Sequence, residues 1–190
     1  DLFGLRFVLT PRSDVVASPT LLDRTPAGTS GFRLLERTTT LPRATFVHEV
    51  DVLPDAAARL AELAKRDRDV AHRVVLEVAE APRPEPTPAT PAQVTLDERT
   101  DERVVVRVRT TAAGYLRLAD PFDAGWRARI DGEATPVYAA DHYLRAVFVP
   151  AGEHTVVFCY DAPAVVWPLR TTLCVYAVLA WLWWSSRRST

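Results

Sequence analysis

Residues 103–109 alternate between valine and arginine with a period close to two. Successive side chains of a β-strand point to opposite faces of a sheet, so this pattern predicts a strand with Val104, Val106 and Val108 inside and arginine outside. The same period recurs in 115–118, 126–131 and 156–160. Six or seven short strands of this kind predict an antiparallel, jelly-roll-like β-sandwich over residues 92–161.

Turn-forming residues separate these runs. Asp131-Gly132 predicts a tight two-residue hairpin, because both positions of such a turn need a positive φ. Pro150-Ala151-Gly152 predicts a second hairpin before the last strand.

Residues 1–81 have a different pattern, with short strand-like runs around one helical segment. Pro54 and Asp55 suit the start of that helix, and Leu60 and Leu63 lie on one predicted apolar face. We therefore predict a small α+β unit over 1–81. Five prolines in 82–91 predict a linker between it and the sandwich, although such a segment can also be a ligand for a partner domain.

The C-terminal part is strongly apolar, since residues 171–184 contain no charged side chain. Trp167 precedes this run, three tryptophans end it and Arg187-Arg188 follow, which is typical of a membrane helix with aromatic belts. We predict a transmembrane helix over 164–186 with a cytoplasmic tail at 187–190, which anchors the chain in the cell membrane and places residues 1–161 on its extracytoplasmic side. The alternative is a buried helix of a soluble domain. The predicted fold class is thus mainly β with some α: an α+β unit, a β-sandwich and one C-terminal transmembrane helix.

Composition excludes some classes of protein. The chain has 23 basic and 24 acidic residues, a net charge of -1, which argues against nucleic-acid binding. Lys65 is the only lysine and Met is absent, and the abrupt start indicates a piece of a longer polypeptide. The two cysteines, Cys159 and Cys174, fall in a strand and in the apolar tail, so we predict no disulfide between them.

Several motifs follow one another in an order that resembles the C-terminal region of the YfhO family of bacterial membrane proteins. They are a Gly-Trp strand, an Asp-Gly hairpin, an Arg-Ala-Val strand, a Pro-Ala-Gly-x-His turn and a Phe-x-Tyr strand, within residues 123–160. The Leu-Pro-Arg-Ala segment at 41–44 extends the resemblance to most of the chain. Asp141-His142 departs from the family, in which many relatives carry Asn before the Arg-Ala-Val strand.

The resemblance implies a large polytopic membrane protein similar to the GT-C class of glycosyltransferases. This chain would be its C-terminal extracytoplasmic and membrane-anchoring part, assisting glycosyl transfer from a lipid-linked sugar to cell-envelope polymers. The implied partners are the lipid bilayer, the rest of the polytopic protein, and envelope glycan or lipid-linked sugar. The catalytic carboxylate of that class lies in an early loop, so we assign no catalytic residue here and leave enzymatic activity open. The alternative is a non-catalytic membrane-anchored scaffold or a glycan-binding module.

Four residues are candidates for glycan contact: Trp126, Tyr138, Tyr143 and Arg145. Aromatic rings stack on sugars and guanidinium groups donate hydrogen bonds to them. Core packing is the alternative for Trp126, which shares its strand face with Ala128 and Ile130. We predict no metal site and no cofactor, because the histidines are scattered and the cluster of Asp120, Asp123 and Asp131 matches turn chemistry better than a calcium loop.

Overall fold

The computed structural model describes residues 7–11, 21–38, 40–65, 68–85, 90–161, 171–179, 181 and 184. Short strands dominate it, with one helix among the first strands and helical positions at 171–179, 181 and 184. The elements in chain order are β1 (Phe7–Pro11), β2 (Leu21–Asp23), β3 (Phe32–Arg37), β4 (Ala44–Val47), β5 (Glu49–Val52), α1 (Ala56–Leu63), β6 (Arg73–Leu76), β7 (Gln93–Arg99), β8 (Arg103–Thr110), β9 (Gly114–Pro121), β10 (Trp126–Ile130), β11 (Glu133–Thr135), β12 (Tyr138–Ala140), β13 (Leu144–Val149) and β14 (Gly152–Tyr160).

The strands form three sheets. A three-stranded sheet has the order β1-β3-β2, a five-stranded sheet the order β11-β10-β14-β8-β7, and a six-stranded sheet the order β4-β9-β13-β12-β6-β5. Neighbours are antiparallel except β5 and β6, which are parallel and connected through α1. A parallel pair needs such a crossover because its strands cannot be joined by a tight turn.

The main core lies between the two larger sheets. Val104, Val106 and Val108 of β8 are 2%, 0% and 1% exposed, as the alternation predicted. They pack with apolar side chains of β9, β13 and β14, among them Leu116, Leu118, Val147, Val149, Val156 and Phe158. The Asp131-Gly132 hairpin between β10 and β11 is also confirmed, with φ values of 51° and 94°.

The six-stranded sheet is buried on its other face as well. Tyr115 and Arg117 of β9, which the alternation placed in solvent, are 0% and 2% exposed. The chain after β6 covers this face, where Ala81 is 4% exposed and the Tyr115 hydroxyl donates to the Pro82 carbonyl at 2.5 Å. A strand covered on both faces is buried throughout, so period-two reasoning fails for it.

The predicted fold class is wrong in the way it divides the chain. An α+β unit was expected to precede the sandwich, but β4, β5 and β6 belong to the same sheet as β9, β12 and β13. The turn at Pro150-Ala151-Gly152 likewise connects strands of different sheets instead of closing a hairpin, because β13 and β14 do not pair. Local turn chemistry specifies a reversal of the chain and leaves open which strands become neighbours.

The predicted transmembrane helix over 164–186 is also wrong, since no helix in the described part of the chain is long and apolar enough to cross a membrane. The continuous helical run there covers 171–179, whereas a crossing needs about 20 residues. The start of the predicted span and the whole predicted tail lie outside the described residues. The residues of this part of the chain that the structure does not describe are 162–170, 180, 182–183 and 185–190.

Helix α1 exists as predicted but presents a different face to the protein. Asp55 is its N-cap, and its carboxylate accepts from the Ala58 N–H at 2.8 Å. Leu60, expected on the buried face, is 51% exposed, while Arg59 is 5% exposed. Arg59 donates to the carbonyls of Leu53 and Pro54 at 2.9 and 2.6 Å, so hydrogen bonds to the preceding segment decide which face of the helix turns inward.

Candidate functional site

A cleft opens at one end of the space between the two larger sheets. Its volume is about 250 Å³. The turn between β7 and β8 and strand ends of both sheets line it. The lining residues are Arg43, Arg99, Thr100, Asp101, Val104, Asp120, Pro121, Asp123, Trp126 and Arg145. Pockets for drug-sized ligands measure roughly 300–1,000 Å³, so this cleft suits a group the size of one sugar ring.

Arg145 on β13 is the most buried charged group of the cleft, with 3% of its side chain exposed. Its guanidinium lies 3.6 Å from the ring centroid of Trp126, in cation–π contact. One terminal nitrogen donates to Asp120 Oδ2 at 3.0 Å and the other to the Pro121 carbonyl at 3.2 Å. Its Nε has no hydrogen-bond partner in the part of the chain that the structure describes. The cleft therefore contains a guanidinium that the protein satisfies only in part.

An irregularity in the strand pairing places this arginine. Leu144 pairs with Pro121, but Arg145 pairs with Leu118, so Ala119 and Asp120 have no partner on β13. The Ala119 N–H donates instead to the Arg43 carbonyl at 2.8 Å. Bulges of this kind redirect side chains and are frequent beside functional sites. This one brings the Asp120 carboxylate alongside Arg145.

Asp120 joins two arginines. Its Oδ1 accepts from Arg43 and its Oδ2 from Arg145, and the carboxylate is 6% exposed. The Arg43 side chain is 39% exposed, which places it at the mouth of the cleft. Because both carboxylate oxygens accept from guanidinium groups, Asp120 positions the two arginines.

Burial sets the electrostatics of Arg145. It lowers the pKa of the guanidinium to about 10, because loss of hydration disfavours the charged form. Asp120 opposes this change and the positive charge of Arg43 adds to it. The lowered pKa therefore reflects mainly the loss of hydration, which the Asp120 carboxylate offsets only in part.

The turn before β10 holds Trp126 in place. The Gly125 N–H donates to Asp123 Oδ1 at 2.7 Å, and a Cβ at Gly125 would lie 2.7 Å from the Asp161 carbonyl oxygen and from the Tyr160 ring. Only glycine fits such an approach without movement. The Tyr160 ring contacts Trp126 at 5.2 Å between centroids, and its hydrogen bond to Asp123 raises the pKa of the Tyr160 phenol. The indole is thus held between Arg145 and Tyr160.

The structure brings together only two of the four residues proposed for glycan contact. Trp126 and Arg145 meet in the cleft, where the arginine covers one face of the indole. Tyr138 lies on the opposite face of the six-stranded sheet, with its ring centroid 5.9 Å from that of Tyr115. Tyr143 is 53% exposed in the turn before β13 and does not line the cleft. The three aromatic rings among these candidates therefore do not share one surface.

Sequence reasoning did not assign Arg43 and Asp120 to the site. Arg43 was considered only as part of the Leu-Pro-Arg-Ala segment. Asp120 was considered only as a possible calcium ligand together with Asp123 and Asp131. In the structure Asp120 binds arginines, whereas Asp131 accepts from His154 at 2.7 Å, which lowers the pKa of that carboxyl. No group of three metal-ligating side chains occurs among the described residues. Arg43 and Asp120 are 77 positions apart, and no local signal connects them.

A second buried arginine–aspartate pair occupies the other face of the same sheet. Arg117 donates to Asp141 Oδ2 at 2.9 Å, to Thr45 Oγ1 at 3.1 Å and to the Val70 carbonyl at 2.8 Å. Asp141 Oδ1 accepts from the Val75 N–H at 2.9 Å, and Asp141 and His142 have φ values of 48° and 68°. Asp141, the departure from the family pattern, therefore makes its own buried contacts at this turn.

Comparisons with protein-family models, with curated proteins and with solved structures find no match to the chain. The resemblance to the YfhO family accordingly stays a prediction.

Proposed function

We propose that this chain is a non-catalytic binding module that holds one sugar residue of a glycan in the cleft over Arg145. The observation that carries the proposal is the Arg145 guanidinium, which lines the cleft, is 3% exposed and is fixed against Trp126. Its two terminal nitrogens carry four N–H groups and make two hydrogen bonds within the described residues, so donors remain for a ligand.

The cleft offers the mixture of donors and acceptors that sugar hydroxyls require. Arg43 and Arg145 supply donors, and Asp101, which also lines the cleft, supplies a carboxylate. Trp126 contributes by fixing the guanidinium in one geometry, because a pre-oriented donor loses less entropy when the ligand binds. The role is binding rather than catalysis, since the two arginines occupy both oxygens of Asp120, the most buried carboxylate of the cleft.

The role implied by the family resemblance remains part of the proposal. In a glycosyltransferase-like protein, such a module would hold an envelope glycan or a lipid-linked sugar near the acceptor side. The alternative is a scaffold that touches no sugar, which predicts that the cleft stays unoccupied in the presence of any glycan.

Titration with a panel of neutral, amino and acidic monosaccharides and short oligosaccharides, monitored by Trp fluorescence and calorimetry, tests the proposal. We expect at least one sugar to bind with a Kd near 1 mM, about −4 kcal/mol. Arg145→Met should weaken that binding at least tenfold, about 1.4 kcal/mol, because it removes the buried donor.

Arg83→Gln is the matched control, since Arg83 is exposed and lies outside the cleft. It should leave the affinity unchanged. Absence of binding across the panel, or equal weakening by both variants, would contradict a sugar site at Arg145.

A further inference from the structure

The outer face of the five-stranded sheet carries a concentration of arginines. Five of them project from β8 and β10 and are all exposed: Arg103, Arg107, Arg109, Arg127 and Arg129. We call this surface the arginine face. Asp97, Glu98 and Glu153 lie beside them, so positive charge exceeds negative charge in this group of side chains although the whole chain has a net charge of -1.

Only two of the five arginines are neutralised directly. Arg103 pairs with Glu98 at 3.1 Å and Arg107 with Asp97 at 2.6 Å. Arg109, Arg127 and Arg129 form no ion pair within the described residues. Arg127 and Arg129 each donate to a main-chain carbonyl, of Ala124 and Gly132, at 2.7 Å. A guanidinium has five N–H donors, so these bonds leave most of them available to a partner.

The register arranges the arginines in two rows around a neutral strip. β14 lies between β8 and β10, with Cys159 opposite Arg103 on one side and Arg127 on the other. The outward side chains of its central part are the uncharged Thr155, Val157 and Cys159. Neighbouring strands lie about 4.8 Å apart, which places the two rows about 10 Å apart. An extended polymer along β14 would thus have arginines on both sides.

We propose that the arginine face binds an acidic polysaccharide, a chain of sugars that carry carboxylates. Guanidinium groups hold carboxylates with paired hydrogen bonds, and the uncharged strip along β14 accepts the sugar backbone between them. The excess positive charge of this one surface gives the attraction, in a chain whose net charge is -1. This surface is separate from the cleft and adds a second binding function to the one proposed above.

A nucleic acid is the competing polyanion, and the observations favour it less. Three carboxylates lie on the arginine face, and two of them pair with arginines. A phosphate backbone of high charge density is bound mainly through a large basic excess, which a chain with a net charge of -1 lacks.

The test uses the whole chain and a short oligogalacturonate, with its fully methyl-esterified and therefore neutral counterpart as the matched ligand. We expect binding of the acidic oligomer that weakens between about 50 and 200 mM salt, and no binding of the neutral one. The double variant Arg109→Gln/Arg129→Gln should weaken the affinity about five- to tenfold, because it removes two exposed charge contacts with the ligand.

Arg83→Gln serves as the control, because it removes an exposed arginine away from the arginine face. It should leave this affinity unchanged. Circular dichroism checks that each variant is folded. Equal binding of the neutral oligomer, equal binding of a DNA duplex of the same charge, or equal loss of affinity in Arg83→Gln and in the double variant would overturn the proposal.

Discussion

The two faces of the six-stranded sheet each bury an arginine beside an aspartate, with opposite consequences. On one face, all three side-chain nitrogens of Arg117 have partners within the protein. On the other face, Arg145 is equally buried, but its Nε has no partner among the described residues and its guanidinium lines a cleft. We call the Arg117–Asp141 pair closed, because the protein satisfies every nitrogen of its guanidinium, and the Arg145–Asp120 pair open, because its guanidinium lines a cleft.

The difference shows how a buried charge can be assigned to structure or to binding. A fully paired buried ion contributes through its geometry, and removing one member leaves the other uncompensated. A partly paired one retains hydrogen-bonding capacity that a ligand can use. Neighbouring strands of one sheet, β9 and β13, supply both arginines, so the contrast comes from what covers each face.

The largest effect is expected from the closed pair. Arg117→Met should lower the free energy of unfolding by about 3–5 kcal/mol, because it leaves the buried Asp141 carboxylate without its cation. Urea denaturation followed by circular dichroism measures this loss. Asp141→Ala removes the other partner and should cost a similar amount. A loss smaller than that of Arg145→Met would contradict the assignment of this pair to structure.

A smaller effect on stability is expected from the open pair. Arg145→Met should lower the free energy of unfolding by no more than about 1–2 kcal/mol, because Asp120 keeps Arg43 as a partner and the desolvation of Arg145 is relieved. The same denaturation experiment measures it. If this variant were as unstable as Arg117→Met, the cleft arginine would be structural and the comparison of the two faces would lose its meaning.

The smallest effect concerns Tyr115, on the same face as Arg117. Burial raises the pKa of its phenol above the ordinary 10.0, so the folded state favours the neutral form. The stability that this contributes is present below pH 10.0 and is lost as the pH rises further, since the unfolded phenol then ionises first.

Tyr115→Phe should therefore lower the free energy of unfolding by about 1 kcal/mol at neutral pH, because the hydrogen bond to the Pro82 carbonyl is lost. Above pH 10.0, the free energy of unfolding of this variant should fall less steeply with pH than that of the unaltered chain. Denaturation at several alkaline pH values measures the slope. Tyr143→Phe is the control, because the Tyr143 side chain is 53% exposed. Identical slopes in Tyr115→Phe and the unaltered chain would contradict the role of burial.

Local patterns predicted much of the secondary structure. The alternation over 103–109 gave the inward valines of β8, and Asp131-Gly132 gave its hairpin, because both depend on neighbouring residues alone. The face of α1 was mispredicted, since Arg59 finds its carbonyl partners in the preceding segment. The apolar residues 171–184 resembled a membrane span in composition, but the described helical run is too short for one.

The candidate site was predictable only in part. Trp126 and Arg145 stood out as residue types suited to sugar contact, and they do meet. Arg43 and Asp120 could not be connected with them, because their contact spans 77 positions and depends on an irregular register between β9 and β13.

The sequence by itself determined which segments are strands, where the tight turns fall and which side chains of β8 avoid water, because these properties arise from interactions within a few residues. Only the tertiary structure decided that β4 to β6 join the later strands in one sheet and that two chemically similar arginines have different surroundings. The physical reason is that the desolvation and pairing of a charge depend on distant chain segments that cover it, and a one-dimensional pattern does not specify those segments.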